Sequence, residues 1–339
     1  MQAWVLTAHG EPRRVLSLQE RPDPVPGPND VLIRCEGFGL NYADVMAVKG
    51  LYRDAPPVPS VLGYEVVGRV ESAGALVPVE LLGKRVVAMT RFGGYAELAA
   101  TDHRALSVIP DSMPLGEAAA MATQGCTAWY MAMIARPLGK GDQVLVHSAA
   151  GGVGQLLVQI AVKQGCTVYA VASGKPKGAY LKQLGAHHII DRSGGDYAQQ
   201  VDALLKDARL DVSFNAVGGT TFKQDLKLLG SGGALVLYGG SQRGEGGGFF
   251  GTLRFVWNMG LVIPIFLMMK SKSLIGVNML RISEHRPQTI AACVAGVVKA
   301  HADGWLKPHV HKEYMRQQLP DALEALGSGS TMGKVVVRW

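Results

Sequence analysis

Two textures of apolar patterning divide the chain. Over residues 1–118 the apolar positions come in short runs, Ala3–Leu6, Val31–Gly37, Val66–Val70 and Arg85–Met89. Turns rich in proline and glycine separate them, such as Arg21-Pro-Asp-Pro-Val-Pro-Gly-Pro. Runs of this kind between such breakers predict strands with irregular connections. From about residue 119 to 240, strand-like runs at Val144–Val146, Thr167–Ala172, His188–Ile190, Val212–Asn215 and Ala234–Tyr238 alternate with helical stretches. That alternation predicts a parallel sheet wrapped by helices. The tail Gly333-Lys-Val-Val-Val-Arg reads as one more strand, returning to the first domain.

The sharpest local signal follows Val144–Val146, where His147-Ser-Ala-Ala-Gly-Gly-Val-Gly leads into an apolar helix over Gln155–Val162. Ala149, Gly151 and Gly154 occupy the three small-residue positions of a dinucleotide turn. The first permits the tight bend, the second lets backbone approach a pyrophosphate, and the third allows helix and strand to pack closely. Gly152 and Val153 complete the cradle, because N–H groups at a helix start favour a phosphate. NAD-selective sites usually carry an acid about 20 residues further on. Ser173 stands there instead, and no Asp or Glu occurs from Gln143 to Ile190. Ser173-Gly-Lys-Pro-Lys offers a hydroxyl and two cations, Lys175 and Lys177. Charge-assisted bonds from Ser173, Lys177 and Arg192 would hold a ribose 2′-phosphate, which favours NADPH over NADH. The competing reading is a pair of solvated lysines on a loop.

Composition narrows the classes. With 339 residues, 48% hydrophobic and 18% charged, the chain can bury a large core in one or two domains. The net charge of +7 is scattered rather than clustered, so an anionic small ligand is favoured and nucleic acid is not an expected partner. The four cysteines, Cys35, Cys126, Cys166 and Cys293, form no C-x-x-C pair. This argues against a disulfide framework and a cysteine-built zinc site, and the N-terminus reads as a first strand rather than a signal peptide. A cytoplasmic location is the expectation. Cys126 reads as a packing residue, and His187-His188 and His309-x-His311 as surface or packing histidines.

The motifs Gly39-Leu-Asn-Tyr-Ala-Asp, Lys49-Gly-Leu-Tyr, Leu62-Gly-Tyr-Glu-Val-Val-Gly, Gly93-Gly-Tyr-Ala-Glu and His147-Ser-Ala-Ala-Gly-Gly-Val-Gly carry a resemblance to a known family. Over its full length the chain resembles the medium-chain dehydrogenase/reductase superfamily, and within it the zinc-independent quinone oxidoreductases. Asn41-Tyr-Ala-Asp-Val-Met-Ala, the Ala172-Ser-Gly turn and a long apolar insertion after residue 242 resemble the vesicle amine transport protein homologue branch. The resemblance implies an α/β chain with a GroES-like β-barrel domain (1–118) and a Rossmann doubly wound parallel-sheet domain (119–282). The Rossmann domain would carry the insertion at about 243–272, and 283–339 would return to the first domain. The positions that hold catalytic zinc in related alcohol dehydrogenases fall on Asn41, Tyr64 and near Thr123, an unfit ligand set.

Without a Lewis acid, reduction of an electron-poor acceptor is easier than alcohol oxidation. The resemblance therefore implies NADPH-dependent hydride transfer to quinones or α,β-unsaturated carbonyls, with Asn41, Tyr52 and Tyr64 bonding the substrate oxygen. The rival reading has the tyrosines as ordinary half-buried aromatics and Asn41 fixing a turn. By the same resemblance Thr127, Asn215, Gly239, Ser241 and Asn278 line the cofactor, and Lys334 lies near its phosphates. A homodimer is implied too. One alternative is an enoyl-thioester reductase, and another is a membrane-associated NADPH-binding protein with little turnover.

Residues 249–269 form a long apolar run interrupted by Arg254, Asn258 and Pro264. Lying between two expected sheet strands, it does not read as a spanning helix. Packing over the substrate cleft or a dimer partner is the first expectation. Peripheral membrane contact, flanked by Arg243, Lys270 and Lys272, is the second.

Overall fold

The computed structural model describes residues 1–244 and 248–339; residues 245–247 and the side chains of 248–250 lie outside the described residues. Part of the expected insertion, including the side chains of Phe249 and Phe250, therefore goes undescribed. The chain divides into two compact units, Met1–Thr127 with Met279–Trp339, and Ala128–Asn278.

Unit one is built on a long strand, Asp30–Leu40, which pairs antiparallel with Glu65–Ala73, Leu98–Asp102 and the tail strand Lys334–Arg338. Register shifts at Leu32/Ile33 and Cys35/Gly37 interrupt its ladder with Glu65–Ala73. Such bulges bend a sheet and raise its twist, which lets one strand serve several partners. Arg85–Met89 and Leu106–Val108 extend the sheet on one side, and Val310–Met315 on the other. The interior is apolar: Val31, Ile33, Phe38, Leu40, Val66, Val86, Val335 and Val337 are all fully buried. A helix at Leu115–Ala120 runs on into a π-helical stretch, Met121–Gly125.

Unit two carries a six-stranded parallel sheet. Its strands are β1 (Gln143–Val146), β2 (Thr167–Ala172), β3 (His188–Asp191), β4 (Leu210–Asn215), β5 (Leu229–Leu237) and β6 (Ser273–Gly276). The order β3-β2-β1-β4-β5-β6 reverses direction between β1 and β4, where doubly wound sheets bind their ligands. Val144, Val146, Val168, Val171, Val212 and Phe214 have no exposed surface, as a sheet covered on both faces requires. The fifth strand begins at Leu229, earlier than the sequence pattern suggests. An irregularity between Leu210 and Val212 lets its glycine-rich start pair before the apolar run begins.

Candidate active site

In unit two, β1 ends at a turn that the glycines make possible. Ser148 adopts φ +50, Ala149 is buried with its N–H donating to the Val171 carbonyl at 2.9 Å, and the helix Gly152–Lys163 begins at once. A Cβ on Gly154 would lie 2.3 Å from the Ser148 carbonyl oxygen and 2.7 Å from the Ala149 Cα. Both neighbours are backbone, so no side chain fits there. The capping residue Gly151 offers no side-chain acceptor, so it leaves the first N–H groups of the helix, from Gly152 and Val153 onward, available to an anion.

At the end of β2, Ser173 is exposed and Gly174 turns at φ +89 into the helix Lys175–Gln183. Lys177 is partly buried, which lowers its pKa. Asp191, one residue beyond the stretch that lacks acids, ends β3 opposite Ala172. Its carboxylate accepts from the Ser193 hydroxyl at 2.6 Å and amide at 2.9 Å, and from the Gly174 backbone, which holds its pKa below the usual range. A carboxylate thus stands beside the Ser173 turn after all, with its lone pairs engaged locally. Arg192 follows it and lines a recess of about 240 Å³ with His147, Tyr197, Val217, Thr221 and Gln242.

Asn215 at the end of β4 is fully buried and wholly committed. Its Oδ1 accepts from the Val217 and Gly218 N–H groups, both at 2.8 Å, and its Nδ2 donates to Thr221 at 2.9 Å and Asp225 at 2.6 Å. It therefore shapes the turn beside the recess instead of presenting its amide to a ligand. Asp225, buried on the helix Thr220–Leu228, also accepts from Ser213 at 2.8 Å and Tyr197 at 2.7 Å and lies 3.0 Å from the His147 ring. Sequence reasoning missed this network. The signal was available, since Asp225 falls on the buried face with Phe222 and Leu228. Beyond β5, Gly239 and Ser241 are tied to the same turn, the Ser241 N–H donating to the Ala216 carbonyl at 3.1 Å. Asn278 is partly buried after β6.

Unit one gathers its polar groups inside the barrel. Asn41 starts the helix Tyr42–Val48, and its amide N–H donates to the Asp44 carboxylate at 2.8 Å. Its side chain donates from Nδ2 to Glu65 at 2.9 Å and accepts from Lys334 Nζ at 3.1 Å. One Nδ2 hydrogen is left for another acceptor. Lys334, expected near the cofactor phosphates, is instead fully buried in an ion pair with Glu65, because Gly39 leaves room for it. The Thr123 N–H, in the π-helical stretch, donates to Glu65 at 2.7 Å. Widened turns of this kind release backbone groups from the helical ladder. Thr127 is buried, its hydroxyl donating to the Thr123 carbonyl at 2.6 Å.

Burial sets the protonation of this cluster. Asp44 is pushed up to about 7 by desolvation, against the Asn41 hydrogen bond. Lys334 is pushed down by the same cause, with Glu65 opposing. The Tyr64 hydroxyl is buried without a well-formed hydrogen bond and its pKa is raised well beyond the ordinary value by burial. Tyr52, its edge-on neighbour at a ring-centroid distance of 6.0 Å, is raised to about 12 by burial and by Asp54. Both phenols stay protonated at neutral pH and can only donate to a developing oxyanion. Cys126 is buried, with its thiol pushed far up by desolvation, which suits packing rather than nucleophilic attack. His188 stacks on Tyr169 at 4.7 Å, and His187 accepts from the Val168 N–H.

The Asn41, Tyr64 and Thr123 donors do not fit zinc. No thiolate or imidazole stands among them, and a buried ammonium already bonds Asn41 and Glu65.

Family models for an alcohol dehydrogenase GroES-like domain and a zinc-binding dehydrogenase match residues 27–140 and 152–295. The human synaptic vesicle membrane protein VAT-1 homolog is 30% identical over 99% of this chain and 86% of its own length. Rat quinone oxidoreductase is 29% identical over 93% of this chain and 90% of its own. A mycobacterial protein solved in complex with NADPH superposes with a TM-score of 0.87 at 28% identity, covering both chains completely.

Proposed function

This chain belongs to the medium-chain dehydrogenase/reductase superfamily, in the branch of quinone oxidoreductases and VAT-1 homologues, and from that premise we propose an NADPH-dependent, zinc-independent reductase of quinones or α,β-unsaturated carbonyls. Bound NADPH would supply the hydride. Ala149, Gly151, Gly152, Val153 and Gly154 cradle the pyrophosphate in this reading. Ser173, Lys177 and Arg192 take the 2′-phosphate, and the recess beside Arg192 takes the adenosine. Thr127, Gly239, Ser241 and Asn278 orient the nicotinamide half, with Asn215 holding the turn that supports it. Lys334 acts through Asn41 and Glu65.

One observation carries the proposal. At the three positions named above stand an amide, a buried phenol with no well-formed hydrogen bond, and a hydroxyl. A neutral donor set cannot replace a Lewis acid on an alcohol, but it can stabilise the oxygen of a carbonyl that gains a hydride. Tyr64, kept protonated by burial, donates to that oxygen, with Asn41 Nδ2 and Tyr52 as further donors. The closing proton comes from a tyrosine or from solvent.

The test is NADPH oxidation across quinones, enones and enoyl-thioesters, with and without a chelator. Turnover on quinones or enones, untouched by chelation, is expected. Tyr64→Phe should lower kcat roughly a hundredfold while NADPH affinity holds. Turnover on thioesters alone would reassign the substrate class. Tight NADPH binding with no turnover on any acceptor would refute the enzyme. The homodimer is a separate reading, checked by light scattering.

A further inference from the structure

Asp225 has no exposed surface, yet four side chains converge on its carboxylate. The Tyr197 hydroxyl donates to Oδ1 at 2.7 Å, and the Ser213 hydroxyl and Asn215 Nδ2 donate to Oδ2 at 2.8 and 2.6 Å. His147 Nε2 lies 3.0 Å from both oxygens. A carboxylate only accepts, so Nε2 carries the hydrogen between them. Burying an ionised carboxylate is expensive unless donors surround it. An apolar residue at this helix position, beside the buried Phe222 and Leu228, would avoid that cost. What the carboxylate adds is direction, since hydrogen bonds fix the geometry of their partners more sharply than apolar contacts do.

The partners come from separate segments at one edge of the sheet. His147 follows β1, its N–H donating to the Phe214 carbonyl at 3.0 Å, and the dinucleotide turn begins at the next residue. Tyr197 opens the helix Tyr197–Leu205 after β3, and its ring meets the His147 ring edge-on at 5.0 Å. Ser213 and Asn215 belong to β4. These segments also wall the recess beside Arg192, where His147, Tyr197, Val217 and Thr221 form part of the lining. Asn215 holds the Val217 N–H at 2.8 Å and donates to Thr221 at 2.9 Å. Asp225 does not line the recess; it reaches the wall residues from the buried side.

We propose that Asp225 is a positioning residue for the cofactor recess, holding the end of β1, the helix after β3 and the end of β4 in one arrangement before the adenosine half of NADPH arrives. The proposal rests on the reading of this recess as the adenosine site. Without Asp225, Asn215 still fixes its own turn through the Val217 and Gly218 N–H groups. His147 and Tyr197, however, lose their common anchor. Binding then has to restore the walls, and that ordering is charged to affinity. Once NADPH is bound the arrangement is the same, so the hydride step suffers less.

The test is calorimetric titration of the full chain with 2′-phosphoadenosine 5′-diphosphate, alongside NADPH kinetics on a quinone or enone. Asp225→Ala removes both acceptor oxygens without crowding the site and should weaken the probe roughly tenfold or more. KM for NADPH should rise in step, while kcat at saturating NADPH falls less than about threefold. Asp225→Asn, which keeps one acceptor oxygen, should recover part of the lost affinity. Tyr197→Phe gives up one bond, keeps the ring against His147, and should weaken the probe about threefold. Thermal melts report the fold of each variant, and the two milder ones carry the test if Asp225→Ala does not fold. Unchanged probe affinity in the folded variants, or kcat falling as far as affinity, would overturn the proposal alone. A parent that binds neither the probe nor NADPH would remove the adenosine reading and the proposal with it.

Discussion

Replacing Lys334 by methionine tests the interior of unit one most directly. The residue has no exposed surface, and its ammonium bonds Glu65 and the Asn41 carbonyl oxygen. Methionine nearly preserves the volume, so the substitution removes a charge without opening a cavity. Glu65 is equally buried and would keep only its bonds from Asn41 Nδ2 at 2.9 Å and the Thr123 N–H at 2.7 Å. Stranding one partner of a buried pair costs about 3–5 kcal/mol. For a domain of about 150–250 residues that lowers Tm by roughly 6–20 °C. Adding Glu65→Gln to Lys334→Met removes the stranded charge, so the double variant should be more stable than Lys334→Met alone. Urea denaturation of parent, singles and double closes the cycle, with an expected coupling of about 2 kcal/mol or more. A Lys334→Met variant within about 1 kcal/mol of the parent, or additive singles, would refute the argument that Glu65 depends on this ammonium.

Asp44→Asn should change how stability depends on pH. The folded pKa of about 7 lies above the ordinary 3.8, so between those values the folded state holds a proton that the unfolded state has lost, and stability falls as pH rises through that window. The fall is up to about 4 kcal/mol; the variant should lack it and gain on the parent at pH 8 relative to pH 4, as denaturation at the two pH values would show. Gly154→Val should cost about 1–3 kcal/mol or more, because its neighbours are backbone, and should weaken NADPH binding at least roughly tenfold in a fluorescence titration. Ser173→Asp places a second carboxylate beside Asp191 and should move the NADPH/NADH ratio of kcat/KM toward NADH by roughly tenfold or more; an unchanged ratio would remove Ser173 from the 2′-phosphate site.

What could be read from the sequence depended on how far apart the cooperating residues lie. The dinucleotide turn is decided within a few positions, where Ser148, Ala149 and Gly154 meet through backbone atoms, and the β1–turn–helix order was visible in the apolar pattern. The strands of the parallel sheet were visible for a related reason, since burial on both faces makes each a continuous apolar run. Glu65 and Lys334 lie 269 positions apart. A lone lysine before Val335-Val-Val gives no sign of which strand it will face, so a family resemblance sent it to the phosphates. Asp191 lies one position past the acid-free stretch from Gln143 to Ile190, and it is the parallel register, level with Ala172, that places it beside the Ser173 turn.

The pKa shifts of the four groups around Asn41 share one leading cause, and that cause bears on the chemistry. Desolvation raises Asp44, Tyr52 and Tyr64 and lowers Lys334, so each group is pressed toward its neutral form. A pocket of neutral donors discriminates little against an uncharged quinone or enone, yet strengthens its hydrogen bonds when negative charge builds on oxygen. If that is the working principle, adding charge should hurt more than removing a donor. Tyr64→Glu, carrying a carboxylate into the site, should then depress kcat further than Tyr64→Phe at equal NADPH affinity. Equal losses in the two variants would show that the donor alone matters, and not the neutrality of its surroundings.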